Sequence, residues 1–158
     1  MIYYPVNFIV DRKKYIFLWF ENEDGINRFL KEYDAIVIFT DENSFEYYCY
    51  INTLRVSTNI FELDIDTISS NTVDCCLLLD FWNCVSDLAF SADTLFLGDS
   101  DDDSITYIYN KLFVNSEVSI ITKNYKNSRF SKKDLKTLNE VIASGINNVI
   151  NIIKIMEL

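Results

Sequence analysis

Residues 73–92 read VDCCLLLDFWNCVSDLAFSA, and this stretch sets the class of the fold. Its apolar side chains recur at helical spacing, while Asp80, Asn83 and Asp87 fall on the other side of the same helix. The apolar stripe consists of Leu77, Leu78, Phe81, Trp82, Val85, Leu88, Ala89 and Ala92. A stripe of this length predicts an amphipathic helix over Val73–Ala92.

In the chain before this helix, the apolar residues have a different spacing. Short runs rich in β-branched and aromatic residues alternate with turn residues, which is typical of strands. The predicted strands are Val6–Val10, Tyr15–Phe20, Ala35–Thr40, Phe45–Ile51 and Ile60–Asp66. Between the second and third runs, the apolar residues of Glu23–Tyr33 recur at helical spacing and predict a short helix there.

The chain after residue 92 is predicted to be mostly helical. Its predicted elements are a helix over Ser104–Phe113, a strand over Val118–Thr122 and a helix over Ser131–Ala143. Ser131 and Asp134 have the spacing of a capping box at the start of the last helix. Beyond Gly145 two alternatives stay open, because the spacing suits either one long helix or an edge strand at Val149–Ile155.

Length and composition suit a globular protein. The chain has 158 residues and 18.5 kDa, with 49% hydrophobic residues, three glycines and one proline. A chain of this size can bury a sizeable core without a disulfide or metal. We therefore predict an α+β fold, a single domain over residues 1–158. In it, an antiparallel-leaning sheet from the N-terminal half is covered by helices from the C-terminal half.

Several kinds of catalytic site are excluded by composition. The chain contains no histidine, so it lacks the commonest general base, the commonest zinc ligand and the Ser-His and Cys-His nucleophile pairs. Gly25, Gly98 and Gly145 are isolated, and no glycine-rich phosphate loop is present. We therefore expect a protein that is not an enzyme and uses neither a metal nor another cofactor.

Acidic residues dominate the charge, which is −10 with 14 basic and 24 acidic side chains. Residues 1–110 carry 6 basic and 20 acidic residues, net −14, whereas residues 111–158 carry 8 and 4, net +4. An acidic surface repels phosphate, so we expect no direct binding of nucleic acid. It suits a basic protein partner, whose approach is accelerated by long-range attraction.

The sequence also indicates in which cellular compartment the protein is expected. The N-terminal residues have no basic segment of a secretory signal, and the apolar run Tyr15–Phe20 is too short to cross a bilayer. The four cysteines, Cys49, Cys75, Cys76 and Cys84, include no CxxC pair. Small buried thiols in a reducing compartment are expected of them. We expect a cytoplasmic protein that does not bind membranes.

The first candidate partner-binding cluster is Glu62, Asp64 and Asp66. These residues alternate with Leu63 and Ile65, so in a strand all three carboxylates would share one face. Carboxylates side by side on a sheet repel one another, and basic side chains of a partner would relieve that repulsion. The alternative is an exposed strand face whose charges are screened by salt.

The second candidate cluster is Asp101, Asp102 and Asp103, which follow a glycine and precede a predicted helix. The spacing imitates a calcium loop, but residues 104 and 110 are serine and asparagine where an EF-hand needs glycine and glutamate. Asp102 or Asp103 is predicted to cap the following helix. Basic residues of a partner could still contact the cluster.

Three segments carry a resemblance to a known class of proteins. They are LLLDFWNCVSDLAFS at Leu77–Ser91, FLGD at Phe96–Asp99 and YIYNKLF at Tyr107–Phe113. Together they resemble the middle region of bacterial immunity proteins of polymorphic and contact-dependent growth inhibition toxin systems. The resemblance implies a small cytoplasmic protein without catalytic residues. Such a protein binds and neutralises the toxic C-terminal domain of a cognate effector, here expected to be a basic nuclease.

Two alternatives from other classes stay open. A metal-dependent hydrolase could use carboxylate ligands, because hard cations prefer oxygen. Its candidate ligands are Asp64, Asp66 and Asp99. A scaffold subunit of a protein complex could instead use aromatic side chains as anchors. Its candidate anchors are Tyr47, Tyr48 and Tyr50.

Overall fold

The computed structural model of the protein describes residues 1–68, 73–122 and 130–157. The strands are β1 (Tyr3–Val10), β2 (Lys13–Glu21), β3 (Asn27–Phe29), β4 (Lys31–Glu32), β5 (Ala35–Ile36), β6 (Ile38–Phe39) and β7 (Phe61–Asp64). The helices are α1 (Glu42–Ile51), α2 (Cys75–Ser91), α3 (Asp103–Thr122) and α4 (Lys132–Met156), with a short 3-10 turn at Leu97–Asp99. Strands precede long helices, which confirms the predicted α+β class.

The main sheet has the strand order β3-β2-β1-β7, and β6 also pairs with β2. β1 and β2 form an antiparallel hairpin along their whole length. Asp11 and Arg12 connect them with positive φ angles of 50° and 63°, as a type I′ turn requires. β7 pairs with β1 in parallel, so the sheet is mixed with mainly antiparallel pairs. β4 and β5 form a separate two-stranded hairpin.

Strand β2 is buried on both of its faces. On one face Phe17 packs edge-on against Phe8 and Phe29, with ring centroids 5.0 and 6.0 Å apart. On the other face Ile16 and Leu18 lie in a cluster with residues of β6 and α1. Because neither face meets water at Tyr15–Leu18, the centre of the strand has a continuous apolar run instead of an alternating pattern.

Residues 45–51 were predicted as a strand, and this prediction is wrong, because they belong to helix α1. Asp41 begins the helix, and its carboxylate accepts a hydrogen bond of 2.8 Å from the Ser44 N–H. Phe45 and Cys49, four residues apart, pack together against the sheet. The run of aromatic residues suits a strand by propensity, but its burial follows a helical period.

The helix predicted over Glu23–Tyr33 is also wrong, because this segment forms β3 and β4. Asn22 begins the segment with a turn in which its side chain accepts hydrogen bonds from the N–H groups of Asp24 and Ile26. Phe29 then pairs with Trp19 of β2 and is buried. The tertiary pairing with β2 therefore overrides the helical spacing of the apolar residues.

The C-terminal helices agree with the predictions except at one strand. Helix α2 is confirmed within two residues at its start and one at its end. The strand predicted at Val118–Thr122 is wrong, because α3 continues through it. Of the two alternatives beyond Gly145, the long helix is the one formed.

The described residues fall into two compact units. Unit 1 contains residues 1–67, 90–94 and 150–157, and unit 2 contains the described residues within 68–89 and 95–149. Unit 1 holds the sheet, both hairpins and α1, whereas unit 2 holds α3 and most of α2 and α4. The single domain predicted over residues 1–158 stays a prediction.

Helix α4 approaches an aromatic cluster of unit 2 at Gly145. A Cβ atom at this position would lie 2.8 Å from the ring of Phe81 and 3.3 Å from the ring of Phe96. Nearby, the Ser144 hydroxyl accepts a hydrogen bond from the Leu97 N–H at 3.0 Å, and the Asn148 side chain donates one to the Leu95 carbonyl at 2.8 Å. The glycine is therefore required by close packing in the middle of a helix.

We expect Gly145→Ala to lower the free energy of unfolding by about 1–3 kcal/mol, because the added methyl group overpacks the site. The better helix propensity of alanine, worth roughly 1 kcal/mol, does not offset this. Chemical denaturation monitored by circular dichroism measures the effect. Asn147→Ala, at an exposed position of the same helix, is the control and should be neutral or slightly stabilising. Equal stability of Gly145→Ala and wild type would contradict the close packing.

The predicted capping box at the start of α4 is confirmed. The Asp134 N–H donates to the Ser131 hydroxyl, and the Ser131 N–H donates to the Asp134 carboxylate, both at 3.1 Å. Lys111 of α3 adds an ion pair, with its Nζ 2.7 Å from the same carboxylate. Both side chains are largely buried, with exposed fractions of 19% and 12%. The hydrogen bond from Lys111 lowers the pKa of Asp134 below its ordinary value.

This pair makes stability depend on pH at the acidic end. Because the Asp134 pKa is lower in the folded than in the unfolded chain, its stabilisation is present above about pH 4 and is lost as the pH falls further. We expect Asp134→Asn to cost about 1–3 kcal/mol of unfolding free energy at pH 7. The difference from wild type should shrink steadily as the pH falls below about 4 in urea titrations. A difference that does not change with pH would contradict this assignment.

Candidate functional site

Glu62 and Asp64 lie on strand β7, with their side chains on the same face of the sheet. Phe61 and Leu63 point to the opposite face, where Phe61 packs edge-on against Tyr4 at a ring distance of 6.4 Å. Glu62 is exposed and Asp64 is half-buried. The first two carboxylates of the predicted ladder therefore have the predicted arrangement.

Asp66 does not continue this ladder, because β7 ends at Asp64. Its carboxylate instead accepts hydrogen bonds of 2.9 Å from the backbone N–H groups of both Asp11 and Arg12. Successive N–H groups in a left-handed turn form a small anion-binding concavity, and Asp66 fills it. The Asp66 N–H in turn donates to the Asp64 side chain at 3.0 Å. Asp66 thus fastens the end of β7 to the β1–β2 turn.

We expect Asp66→Ala to lower the free energy of unfolding by about 0.5–2 kcal/mol, similar to the loss of a helix cap. Asp66→Asn should cost less, since its remaining side-chain oxygen can still accept one of the bonds. Urea denaturation at neutral pH measures both variants. The matched control is Asp101→Ala, an exposed aspartate that should change stability by less than about 0.5 kcal/mol. If Asp66→Ala behaved like this control, the fastening role would be wrong.

The second cluster lies at the start of α3. Asp102 is the cap, as predicted, and its side chain accepts a hydrogen bond of 2.8 Å from the Ser104 N–H and another from the Ser104 hydroxyl. These bonds lower the pKa of Asp102. Asp101 and Asp103 are exposed on either side of it. Asp103, in the first helical turn, also lies at the end of the helix dipole that favours negative charge.

Helix α1 presents a row of tyrosines that only the structure orients. Tyr47 and Tyr50 project away from the sheet, with exposed fractions of 66% and 81%. Tyr48 lies on the inner side, where its ring packs against Phe39 at a centroid distance of 5.1 Å. Its hydroxyl donates a hydrogen bond of 2.6 Å to Glu32 of β4. Burial and the Glu32 carboxylate raise the pKa of Tyr48, so it stays a neutral donor.

The β4–β5 hairpin ends beside this helix in a two-residue turn. Tyr33 and Asp34 form the turn with positive φ angles of 50° and 65°, and the Tyr33 side chain is fully exposed. Glu32 of the same hairpin accepts the hydrogen bond from Tyr48, and this bond joins the hairpin to the inner side of α1.

No sequence pattern indicates the exposed turn at Tyr33 and Asp34 or the contact of Glu32 with α1. The pattern had placed Tyr33 on the apolar side of a helix, whereas the structure places it in a left-handed turn. Such turns favour asparagine and glycine, and a Tyr-Asp pair carries no turn signal of that kind. No feature of the sequence could have placed the hairpin beside α1.

Asp99, a candidate metal ligand, lies in a pocket of about 280 Å³ in unit 2. The Ser86 hydroxyl donates a hydrogen bond of 2.5 Å to Asp99, and the Tyr109 hydroxyl donates one of 2.8 Å to Asn83. Four polar side chains of this pocket are thus hydrogen-bonded in two pairs. Within residues 1–68, 73–122 and 130–157, no group of three or more cysteine, aspartate or glutamate side chains is arranged to hold a metal ion.

Two of the four cysteines, Cys49 and Cys84, have raised thiol pKa values. Burial raises the pKa of the Cys49 thiol. Burial also raises the pKa of the Cys84 thiol, and the nearby carboxylates of Asp87 and Asp80 add to the effect. A raised pKa keeps a thiol protonated and unreactive at neutral pH. Both thiols are therefore expected to stay protonated at neutral pH.

Comparisons with known proteins give a structural neighbour. No protein-family model matches the sequence, and no match to a curated protein is significant. The solved structure described as the crystal structure of the SatS C-terminal domain in complex with bromine is similar, with a TM-score of 0.48 and 12% sequence identity. The alignment covers 98% of this chain and 90% of that chain. No helix in the described part of the chain is long and apolar enough to span a membrane.

Proposed function

We propose that this protein is an immunity protein that binds the toxic C-terminal domain of a cognate effector in the cytoplasm and neutralises it. It does so by binding alone, without catalysis. The partner is a basic domain, in the simplest case a nuclease, whose cationic surface meets carboxylates of this chain. The proposal is supported by the sequence resemblance and by the placement of the acidic side chains.

The observation that carries the proposal is the excess of exposed carboxylates over ion pairs. The ion pairs between described residues are Lys14–Glu42, Lys31–Asp93 and Lys111–Asp134. Glu62, Asp101 and Asp103 are exposed, and no ion pair within the described ranges includes them. Their negative potential extends over about a Debye length, roughly 8–10 Å, and attracts a cationic protein.

Charge and contact should control different steps of binding. Long-range attraction raises the association rate and is weakened by salt. Short-range apolar and hydrogen-bonded contacts, formed after encounter, mainly set the dissociation rate. An acidic binding protein of this kind therefore captures its partner quickly and holds it through a smaller set of packed side chains.

The test uses the C-terminal domain encoded by the gene immediately upstream, which we expect to encode a large secreted toxin. Co-expression of this protein should protect cells from that domain. In surface-binding kinetics the association rate should fall about tenfold or more between low and high salt, with a smaller change in dissociation. An upstream gene that encodes no toxin, or a toxic domain that neither binds nor is neutralised, would overturn the proposal. Binding without protection would favour a scaffold subunit instead.

Charge-reversal variants separate the two acidic clusters. Glu62→Lys tests the first cluster without disturbing Asp66, whose carboxylate fastens the β1–β2 turn. The double variant Asp101→Lys/Asp103→Lys tests the second and spares the cap at Asp102. Each variant should slow association with the toxin domain if its cluster attracts that domain. Rates indifferent to both salt and charge reversal would contradict the electrostatic mechanism.

A further inference from the structure

We propose that the pocket beside Asp99 in unit 2 receives an amide side chain of the toxin domain, an asparagine or a glutamine, an inference that rests on the proposed function. The walls of the pocket are α2, the 3-10 turn at Leu97–Asp99 and α3. Its volume of about 280 Å³ is below the roughly 300–1,000 Å³ of pockets that hold whole small molecules. The size therefore suits a single side chain of a protein.

The indole N–H of Trp82 is a hydrogen-bond donor without an acceptor. Trp82 has an exposed fraction of 3%, and no hydrogen bond in the described ranges uses its N–H. The nitrogen lies 2.7 Å from the position that a Cβ atom of residue 98 would take, and Gly98 lines the same pocket. Glycine at this position therefore leaves the N–H uncovered. Because a buried tryptophan normally finds an acceptor, the pocket favours an occupant that supplies one.

Asp99 supplies the opposite kind of group. Its Oδ1 accepts the hydrogen bond from Ser86, whereas its Oδ2 has no partner among the residues that the structure describes. Asn83 uses its side-chain oxygen to accept the bond from Tyr109, and its amide N–H groups have no partner in the same part of the chain. The pocket thus combines unpaired donors on α2 with an unpaired acceptor on the 3-10 turn.

This combination selects the chemistry of the occupant. A primary amide carries a carbonyl acceptor and N–H donors on one planar group, so it matches both Trp82 and Asp99. Lysine and arginine side chains have donors only. They would pair with Asp99 and leave the indole N–H without an acceptor. A carboxylate of the partner would be repelled by Asp99.

The position of the pocket connects it to the basic partner. Asp99 precedes Asp101 by two residues, and Thr106 of the pocket wall follows Asp103 by three residues on α3. The exposed carboxylates at this end of α3 attract a basic domain over a long range, whereas a pocket acts only after encounter. We therefore expect the pocket to control dissociation of the toxin domain and the acidic cluster to control its association.

The first experiment measures surface-binding kinetics of the purified upstream-encoded toxin domain, the probe, with full-length variants. Trp82→Phe removes the indole N–H and keeps an aromatic ring. It should raise the dissociation rate about tenfold, the effect of one lost buried hydrogen bond, and change the association rate less than about twofold. The matched control is Trp19→Phe in unit 1, which should leave both rates within about twofold of wild type.

Two variants of Asp99 test the chemistry of the occupant without a change in the core. Asp99→Ala removes the acceptor and should raise the dissociation constant about tenfold. Asp99→Asn keeps a side-chain carbonyl that accepts from an amide, so it should stay within about threefold of wild type. A lysine or arginine occupant would lose its charge partner in both variants. Equal weakening by the two substitutions would therefore overturn the amide assignment.

The indole N–H also reports occupancy directly. The chain has two tryptophans, so the indole N–H signal of ¹⁵N-labelled Trp19→Phe belongs to Trp82. In the complex with the toxin domain this signal should shift, and its exchange with deuterated solvent should slow about tenfold or more. An unchanged signal and exchange rate in the complex would overturn the proposed occupancy.

The outcomes separate this proposal from the proposed function. If wild type binds the probe and both Trp82→Phe and Asp99→Ala bind within threefold of it, the pocket is not the docking site while the proposed function stands. The same conclusion holds if Trp19→Phe speeds dissociation as much as Trp82→Phe does. If wild type itself fails to bind, the proposed function has failed.

Discussion

The burial of β2 on both faces is the constraint on which the rest of unit 1 depends. This strand pairs with β1, β3 and β6, and its central residues, Tyr15–Leu18, are all buried. Phe17 and Leu18, adjacent in sequence and opposite in direction, are both fully buried. Each such side chain contributes about 1.5–3 kcal/mol through removal from water. A layer of structure is therefore needed on each side of the strand.

Helix α1 supplies the layer over Ile16 and Leu18, and this requirement determines what the helix displays. Its inner side carries Phe45, Tyr48 and Cys49. A helix that packs on one side must present its other side to solvent, and here that side carries tyrosines instead of only charged or small polar residues. Because α1 covers the sheet with one side, its other side must be exposed. The packing on the sheet does not determine that this exposed side carries tyrosines.

Carboxylates serve two purposes in this protein. Asp41, Asp66 and Asp102 accept hydrogen bonds from backbone N–H groups at a helix start, a hairpin turn and another helix start. These bonds stabilise local structure and occupy the carboxylates. Others, such as Glu62 and Glu46, are exposed and carry no such role in the described residues. Net charge alone cannot separate the two groups, because both contribute equally to it.

The sequence by itself determined the elements whose patterns are long or chemically specific. The apolar stripe of α2 spans several helical turns, and the Ser131–Asp134 capping box needs only local geometry, so both could be predicted. Tertiary structure decided the short segments. Residues 45–51 and 23–33 are only seven and eleven residues long, too short for the spacing of their apolar residues to distinguish a helix from a strand. Pairing with β2 and burial against Leu18 settled them. One hydrogen bond, from Tyr48 to Glu32, joins helix α1 to the β4–β5 hairpin, and no local pattern specifies this contact.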